Sequence, residues 1–533
     1  MASAGGRAHR ALAAALAFGL LASCTGDDGD AGPTTTAERG ATAASVEDGG
    51  TVRLGLPGEV VADPVEASLA SPSDQMVLDL LYDGLTSVDE DGTAQPALAA
   101  SWTHNVTLTA WEFVIDPDAS FVGGAAITAA DVVTSIERVA ALGDTSLVAL
   151  ALEPVKGFRA FVDGTADHLA GLQAKGDDTV RVELDSALST LSVVLASPSF
   201  GVVDPATPSD PAELDLSGAW AITGEADDGL TLERRDGAPG HLDGIELRVY
   251  DDADAAYEAF SDGEVDWAPV PTERFGEAVE DHGDDHFAPF HAELFFGLNL
   301  GSDALGNEVL REAIEASIDR EAIVEAVYPD LADALATVVP AGVPGHDDER
   351  CGACGPDPQH AADLVAFAFP DGGVPTIHLD YDESSAQETM AEMIAGDLEA
   401  AGIPTELRPL PLEEYKAFVV SGAQELFTFG WIGAYRSPDA YLAPLFVSDA
   451  DDNLTAYRSS DVDGLLERAR ADADEDNQAG RWVGAEEIVM DAAVVIPIAQ
   501  FRTQVVVADR VQGLVHAVDG TVDWAAVSVS DGD

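Results

Sequence analysis

A mixed α/β protein of two or three lobes is the fold class that this sequence predicts. Three observations point to it. The 533 residues exceed what one compact core holds. At 46% hydrophobic residues, the composition is globular and supplies enough apolar material for sizeable cores. Short stretches of alternating apolar residues are interspersed with stretches of helical periodicity, which is the pattern of strands and helices packed in layers.

The strands come first. Val52, Leu54 and Leu56 alternate along Thr51 to Leu56. Trp111, Phe113 and Ile115 do the same, as do Val180, Val182 and Leu184. Ile245, Leu247 and Val249 form a fourth set, and Ile377, Leu379 and Tyr381 a fifth. Period-two alternation puts each set on one face of a half-buried strand. Phe427 to Trp431 reads as a buried strand followed by a loop, Ile432 to Pro438.

Helices fall between them. Thr128 and Asp131 have capping-box spacing, with Ile127 as a staple and Val132, Ile136 and Val139 on the buried stripe. Asn307 is a candidate N-cap for a helix that buries Leu310, Ile314 and Ile318. Another helix starts at Ser385 with Glu388 three residues on, and stops at Gly402 with Pro404 beyond. Its Met390 and Met393 are core residues rather than cofactor contacts. The alternation of strands and helices predicts largely parallel sheets. No internal repeat is present.

Charge excludes several functions. Asp and Glu number 98 against 25 Lys and Arg, a net charge of −73. Nucleic-acid binding through phosphates needs a basic surface, so it is excluded. Lying flat on an anionic membrane is disfavoured for the same reason. The acids are dispersed along the chain, which suits a surface solvated in a saline exterior. A calcium-binding array would need a repeated twelve-residue loop, and Asp27-Asp28-Gly29-Asp30 is too short to be one.

The N-terminus sets the expected compartment. Arg7, His9 and Arg10 form a basic start, and Ala11 to Leu21 is an apolar run too short to span a bilayer. It ends in Leu21-Ala22-Ser23-Cys24, which resembles the lipobox of bacterial lipoproteins. That resemblance implies a signal peptide over residues 1–23 and acylation of Cys24. An ordinary signal peptide with an incidental cysteine is the alternative. Residues 24–50 read as a disordered tether, rich in Thr, Gly, Ala and Asp and without an aromatic residue. No later stretch is apolar and long enough to span a membrane. The expected location is outside the cytoplasm, anchored to the cell membrane by lipid. Cys351 and Cys354 are then expected to form a local disulfide that stiffens a turn, because a zinc site would need a second ligand pair.

Several segments resemble one family, the extracytoplasmic solute-binding proteins of peptide, nickel and related ABC importers. Leu81-Tyr82-Asp83-Gly84-Leu85 and Pro96 to Trp102 are similar to its early signature. Trp111-Glu112-Phe113 and Thr128 to Val132 continue it in order. Leu298-Asn299-Leu300, Val309 to Ile314 and Ile318-Asp319-Arg320 resemble the start of its second lobe. Pro344-Gly345, Gly430-Trp431, Pro438 to Leu442, Ala485 to Ile488 and Ile496-Pro497 close the series, so the likeness spans about residues 51 to 507. One turn departs from the family pattern, at Ser217 to Trp220 and Arg234 to Gly237.

The resemblance implies a two-lobed periplasmic-binding-protein-like fold of the large, three-subdomain type, with ligand in a cleft between lobes. It places lobe I at 51–287 with an inserted subdomain at about 90–215, lobe II at 288–505, and a return to lobe I with the tail at 506–533. It implies a monomer that delivers a small-molecule or peptide ligand to an ABC permease complex, with no cofactor and no catalysis. Trp431 and Tyr435 resemble cleft aromatics of the family, although Trp431 as a cap on the core is the alternative. The peptide branch has an Asp that holds the ligand's α-ammonium, and the matching position here is Ala434. Arg436 is a candidate for a ligand carboxylate, or else a surface residue paired with Asp439.

Other functions remain in view. A nickel or metal-chelate binder is the alternative within the family, and a sensor or chaperone that serves no transporter is another. His282, His286 and His291 lie among acids but match no closed ligand set, so no metal site is assigned. An extracellular hydrolase is disfavoured by the lack of a Gly-x-Ser-x-Gly elbow, a Ser-x-x-Lys pair or a His-Glu-x-x-His helix.

Overall fold

The computed structural model describes residues 48–89, 91–205, 214–226, 229–283, 286–347 and 355–530. Two six-stranded sheets organise it, and a four-stranded sheet is inserted in the first half of the chain.

The first sheet has the strand order Val505–Val507, Trp267–Pro269, Thr51–Pro57, Gly244–Tyr250, Gly229–Arg234 and Trp220–Ala226. Val52 and Leu54, whose alternation marked the first strand, are fully buried. The second sheet runs Ala332–Ala334, Val495–Arg502, Pro289–Leu298, Leu426–Ile432, Ile377–Asp382 and Thr405–Leu410. The chain thus leaves the first sheet after Pro269, builds the second, and comes back at Val505. The inserted sheet, in the order Ala99–His104, Ala110–Ile115, Thr179–Glu183 and Leu172–Lys175, is antiparallel throughout.

The expectation of largely parallel sheets is corrected. Among the described residues parallel pairing is confined to Thr51–Pro57 against its two neighbours and Ile377–Asp382 against its two. The other ladders are antiparallel, because Trp220 to Tyr250 folds as successive hairpins and the long central strands of the second sheet run against each other. A helix makes the crossover between parallel neighbours, as Ser385–Ala400 does between Ile377–Asp382 and Thr405–Leu410.

Two of the three helix caps expected from the sequence form as local chemistry dictates. Thr128 and Asp131 form both bonds of a capping box at the start of Ala129–Ala140. Asn307 accepts from the amides of Val309 and Leu310 and starts Glu308–Ser317. Ser385, however, is the first residue inside its helix; Ser384 occupies the cap position and its side chain makes no capping bond. Ser384 precedes an equally polar Ser385, so the residue pattern did not separate the two positions.

Candidate ligand-binding site

The strand Leu426–Ile432 carries seven consecutive residues, Leu-Phe-Thr-Phe-Gly-Trp-Ile, into the centre of the second sheet. Trp431 sits one residue before its end. It is only 3% exposed, and its indole N–H donates to the carbonyl of Ala440 at 2.9 Å. The chain then turns through Gly433, where a Cβ would meet the Tyr441 hydroxyl oxygen at 2.3 Å. Glycine therefore lets Tyr441 close over the turn. The next helix, Asp439–Phe446, lies beneath it.

Between this region and the inserted domain lies a cavity of about 490 Å³. Leu147, Leu150 and Leu188 form the wall from the inserted domain, and Trp431, Ala443 and Val447 the facing wall. A volume of this size suits a small organic molecule or short peptide. Leu147 also lines a second, apolar cavity of about 330 Å³, closed by Leu69, Val139 and Ile432.

The larger cavity is also lined by Glu153, Asp185, Asp449, Asp451 and Asp452, and one buried ion pair is built into its wall. Asp439 is fully buried, and Arg470, at the end of the helix Ser460–Arg470, donates from Nε to both its oxygens, at 2.7 and 3.0 Å. The Tyr435 hydroxyl donates to Asp439 Oδ2 at 2.8 Å. Burial, and then the carboxylate beside it, hold the Tyr435 phenol well above its usual range, so it remains a donor. Burial works against the charge on Arg470, but Asp439 outweighs it and keeps the guanidinium firmly protonated. Removing either partner would leave a buried charge uncompensated, at about 3–5 kcal/mol.

Trp431 and Tyr435 both line this cavity. Arg436 does not; it is 8% exposed and lines a neighbouring crevice of about 10 Å³ with His291 and Asp519. Cys24, Cys351 and Cys354 lie outside the described residues. The three histidines of the acidic stretch are spread apart: His282 ends a helix, edge-on to Phe260, and His291 is buried in the Pro289–Leu298 strand, where Nε2 donates to the Leu69 carbonyl at 3.0 Å. Among the described residues no group of three or more His, Cys, Asp or Glu is placed to hold a metal ion.

Sequence reasoning missed Arg470. Its partner Asp439 is 31 residues away, and only the fold joins them. The scarcity of basic residues was the one available signal: an arginine closing an acidic helix stands out among 25 Lys and Arg.

The model of the bacterial extracellular solute-binding proteins, family 5, matches residues 93–453. The chain belongs to this family. It is 24% identical to the dipeptide-binding protein DppE of Bacillus subtilis (strain 168) over 488 residues, covering 84% of this chain and 87% of that one. It is 25% identical to the probable deoxycholate-binding periplasmic protein YgiS of Escherichia coli (strain K12) over 465 residues, 83% of this chain and 86% of the relative. Its fold matches the murein tripeptide-binding protein MppA in the unliganded open form, with a TM-score of 0.80 at 20% identity, over 91% of this chain and 98% of that one. HbpA2 of Haemophilus parasuis matches with a TM-score of 0.75 at 19% identity, over 90% of this chain and all of the other. The two-lobed binding-protein fold is therefore present. As a family 5 member the chain is an extracytoplasmic solute-binding protein that delivers solute to an ABC importer. Among the described residues no helix is long and apolar enough to cross a membrane.

Proposed function

We propose that this chain is a lipid-anchored, monomeric receptor that captures a peptide-like or small organic solute in the cavity walled by Trp431 and Tyr435 and releases it unchanged to its permease. The observation that carries the reading is the 490 Å³ cavity itself, apolar over most of its wall, with two aromatic residues, one fixed ion pair and a set of carboxylates that includes Glu153 and Asp185. Apolar walls supply affinity and a few convergent polar groups supply orientation. Cys24 would carry the lipid, and residues 24–50 would tether the folded body to the membrane.

The carboxylate that holds a peptide α-ammonium in the family's peptide branch is not at its usual position here, although Glu153, Asp185, Asp449, Asp451 and Asp452 also line the cavity. Ala434 lines the cavity where the family's peptide branch has its Asp, and both oxygens of Asp439 are bonded within the protein.

The test is a thermal-shift screen of residues 48–533 in high salt, against short peptides, bile acids, sugars and nickel chelates. A ligand present at about a hundred times its Kd stabilises the native state by about 2.7 kcal/mol, which moves the midpoint visibly. A shift from one ligand class is the expected result. A well-folded protein that no class shifts would contradict the reading and favour a sensor or chaperone.

A further inference from the structure

The helix Ser460–Arg470 is finished by a residue from another part of the molecule. A left-handed residue commonly closes a helix end. Among the described residues none from Glu467 to Asp474 has that conformation. The amide of Ala471, which follows the last helical residue, reaches back to Glu467 and Ala469. The Arg470 carbonyl is met from elsewhere: the Ser189 amide donates to it at 2.9 Å. The Ser189 hydroxyl adds a second bond, to the Ala469 carbonyl at 3.2 Å. Ser189 stands 280 residues before Ala469, in the inserted domain. The helix lies in the chain between Leu426–Ile432 and Val495–Arg502, two strands of the second sheet.

Both partners stand at the larger cavity. Leu188, beside Ser189, is in the wall from the inserted domain, and Arg470 is in the facing wall. Each is mounted firmly on its own side. Leu188 and Leu191 flank the serine and are buried, and the Leu188 amide donates to the Leu108 carbonyl at 3.3 Å. Arg470 is fixed through Nε on Asp439. The two bonds between the walls are weaker than these mounts. Neither involves a charge, the hydroxyl bond is part-buried, and water replaces such bonds at small net cost.

We propose that Ser189 is a latch across the cavity: it caps the helix Ser460–Arg470 when the two walls are together, and its release lets them part to admit or release solute. The last clause alone rests on the reading of the cavity as the ligand site. The catch is the end of a helix, whose final carbonyls have no amide of their own to meet. Serine suits the part, because its amide and its short side chain reach two successive carbonyls at once.

Hydrogen exchange of the full chain in high salt, without ligand, tests the latch. A latch opens while the sheets on either side stay folded. The Ser189 amide and the amides of Glu467 to Arg470 are therefore expected to share one protection factor, about tenfold or more below those of Thr179–Glu183 and Leu426–Ile432. Ser189→Ala keeps the amide and loses the hydroxyl. It is expected to lower the shared factor about three- to tenfold, the worth of one neutral hydrogen bond, and to leave both strands unchanged. Ser189→Thr, which keeps a hydroxyl, is expected to behave as wild type. A second measurement separates parting of the walls from fraying of the helix. Ala443 lies in the facing wall and is 3% exposed, so Ala443→Cys reacts with a maleimide chiefly when the walls part. Its labelling rate is expected to rise by the same factor in the Ser189→Ala background. Leu188 and Leu466 belong to one buried apolar cluster. If that cluster alone holds the walls, Ser189 is as protected as the two strands and the proposal is overturned. An unchanged factor in Ser189→Ala overturns it too, and so does a lowered factor with an unchanged labelling rate, which would make Ser189 a helix cap and nothing more. If these results appear but no solute binds in the thermal-shift screen, the latch stands and the reading of the cavity fails without it.

Discussion

Glu293 lies on the Pro289–Leu298 strand, paired across to Trp431 on one side and Gln500 on the other. It is 0% exposed, and among the described residues neither carboxyl oxygen has a hydrogen-bond partner. Burial, and then the nearby Glu486, push its pKa well above the usual 4.5. Glu486 itself accepts from the amides of Val338 and Val339, at 2.9 and 2.7 Å. Glu293 therefore holds its proton to higher pH in the folded protein than in the unfolded chain. A carboxyl whose folded pKa is raised stabilises fully below its unfolded value and loses that contribution as pH rises. Asp79, pushed up to about 8, and Glu315, pushed up to about 7, act in the same direction. Urea unfolding near pH 6 and pH 9 checks this. Glu293→Gln, a neutral side chain of the same shape, is expected to lose less stability between the two than wild type. An identical loss in both would show that Glu293 does not titrate differently in the two states.

At the scale of elements, the return to the first sheet is held by a histidine. Trp267 Nε1 donates to His516 Nε2 at 3.1 Å, and His516 Nδ1 donates to the Gly520 carbonyl at 3.0 Å. The bond from Trp267 needs the neutral ring, since a protonated Nε2 cannot accept, and burial lowers its pKa from 6.5 to about 4. A depressed pKa contributes stability above the unfolded value that is lost as pH falls toward the folded one, here about 3 kcal/mol between 6.5 and 4. Hydrogen exchange at pH 7 and pH 5, corrected for intrinsic rates, is expected to show residues 511–529 loosening before the second sheet does. Simultaneous loosening would remove His516 from the account. The elements also show what sequence reveals. Trp111, Phe113 and Ile115 alternate and are all buried, because period two is a local property of a strand. The capping pairs Thr128 with Asp131 and Asn307 with Leu310 were readable because cap and amide lie within three residues. Strand direction was not, since whether Gly229–Arg234 runs with or against Gly244–Tyr250 depends on a turn and a neighbour, not on either strand's own pattern.

For the whole molecule, the order of family-like segments from Leu81 to Pro497 made the architecture legible, because each segment is short but their succession is specific. The site was legible only in part. Trp431 and Tyr435 lie in one strand-and-loop stretch that resembles the family's, and both line the cavity. Arg470 and the facing Leu147 and Leu150 reach the cavity from elements far apart in sequence, and nothing in their local pattern says so. The net charge of −73 bears on the same site, since an anionic ligand approaches against it and salt screens that repulsion. The central claim is that this cavity is where solute binds. Ala151, half-buried on the inserted domain's wall and in ordinary helical conformation, can carry a tryptophan into the cavity without strain at its backbone. Thermal shift with whichever ligand stabilises wild type, measured side by side on Ala151→Trp, tests the claim most directly. The variant is expected to fold with a similar midpoint and to show no shift. An equal shift in both proteins would place the ligand elsewhere.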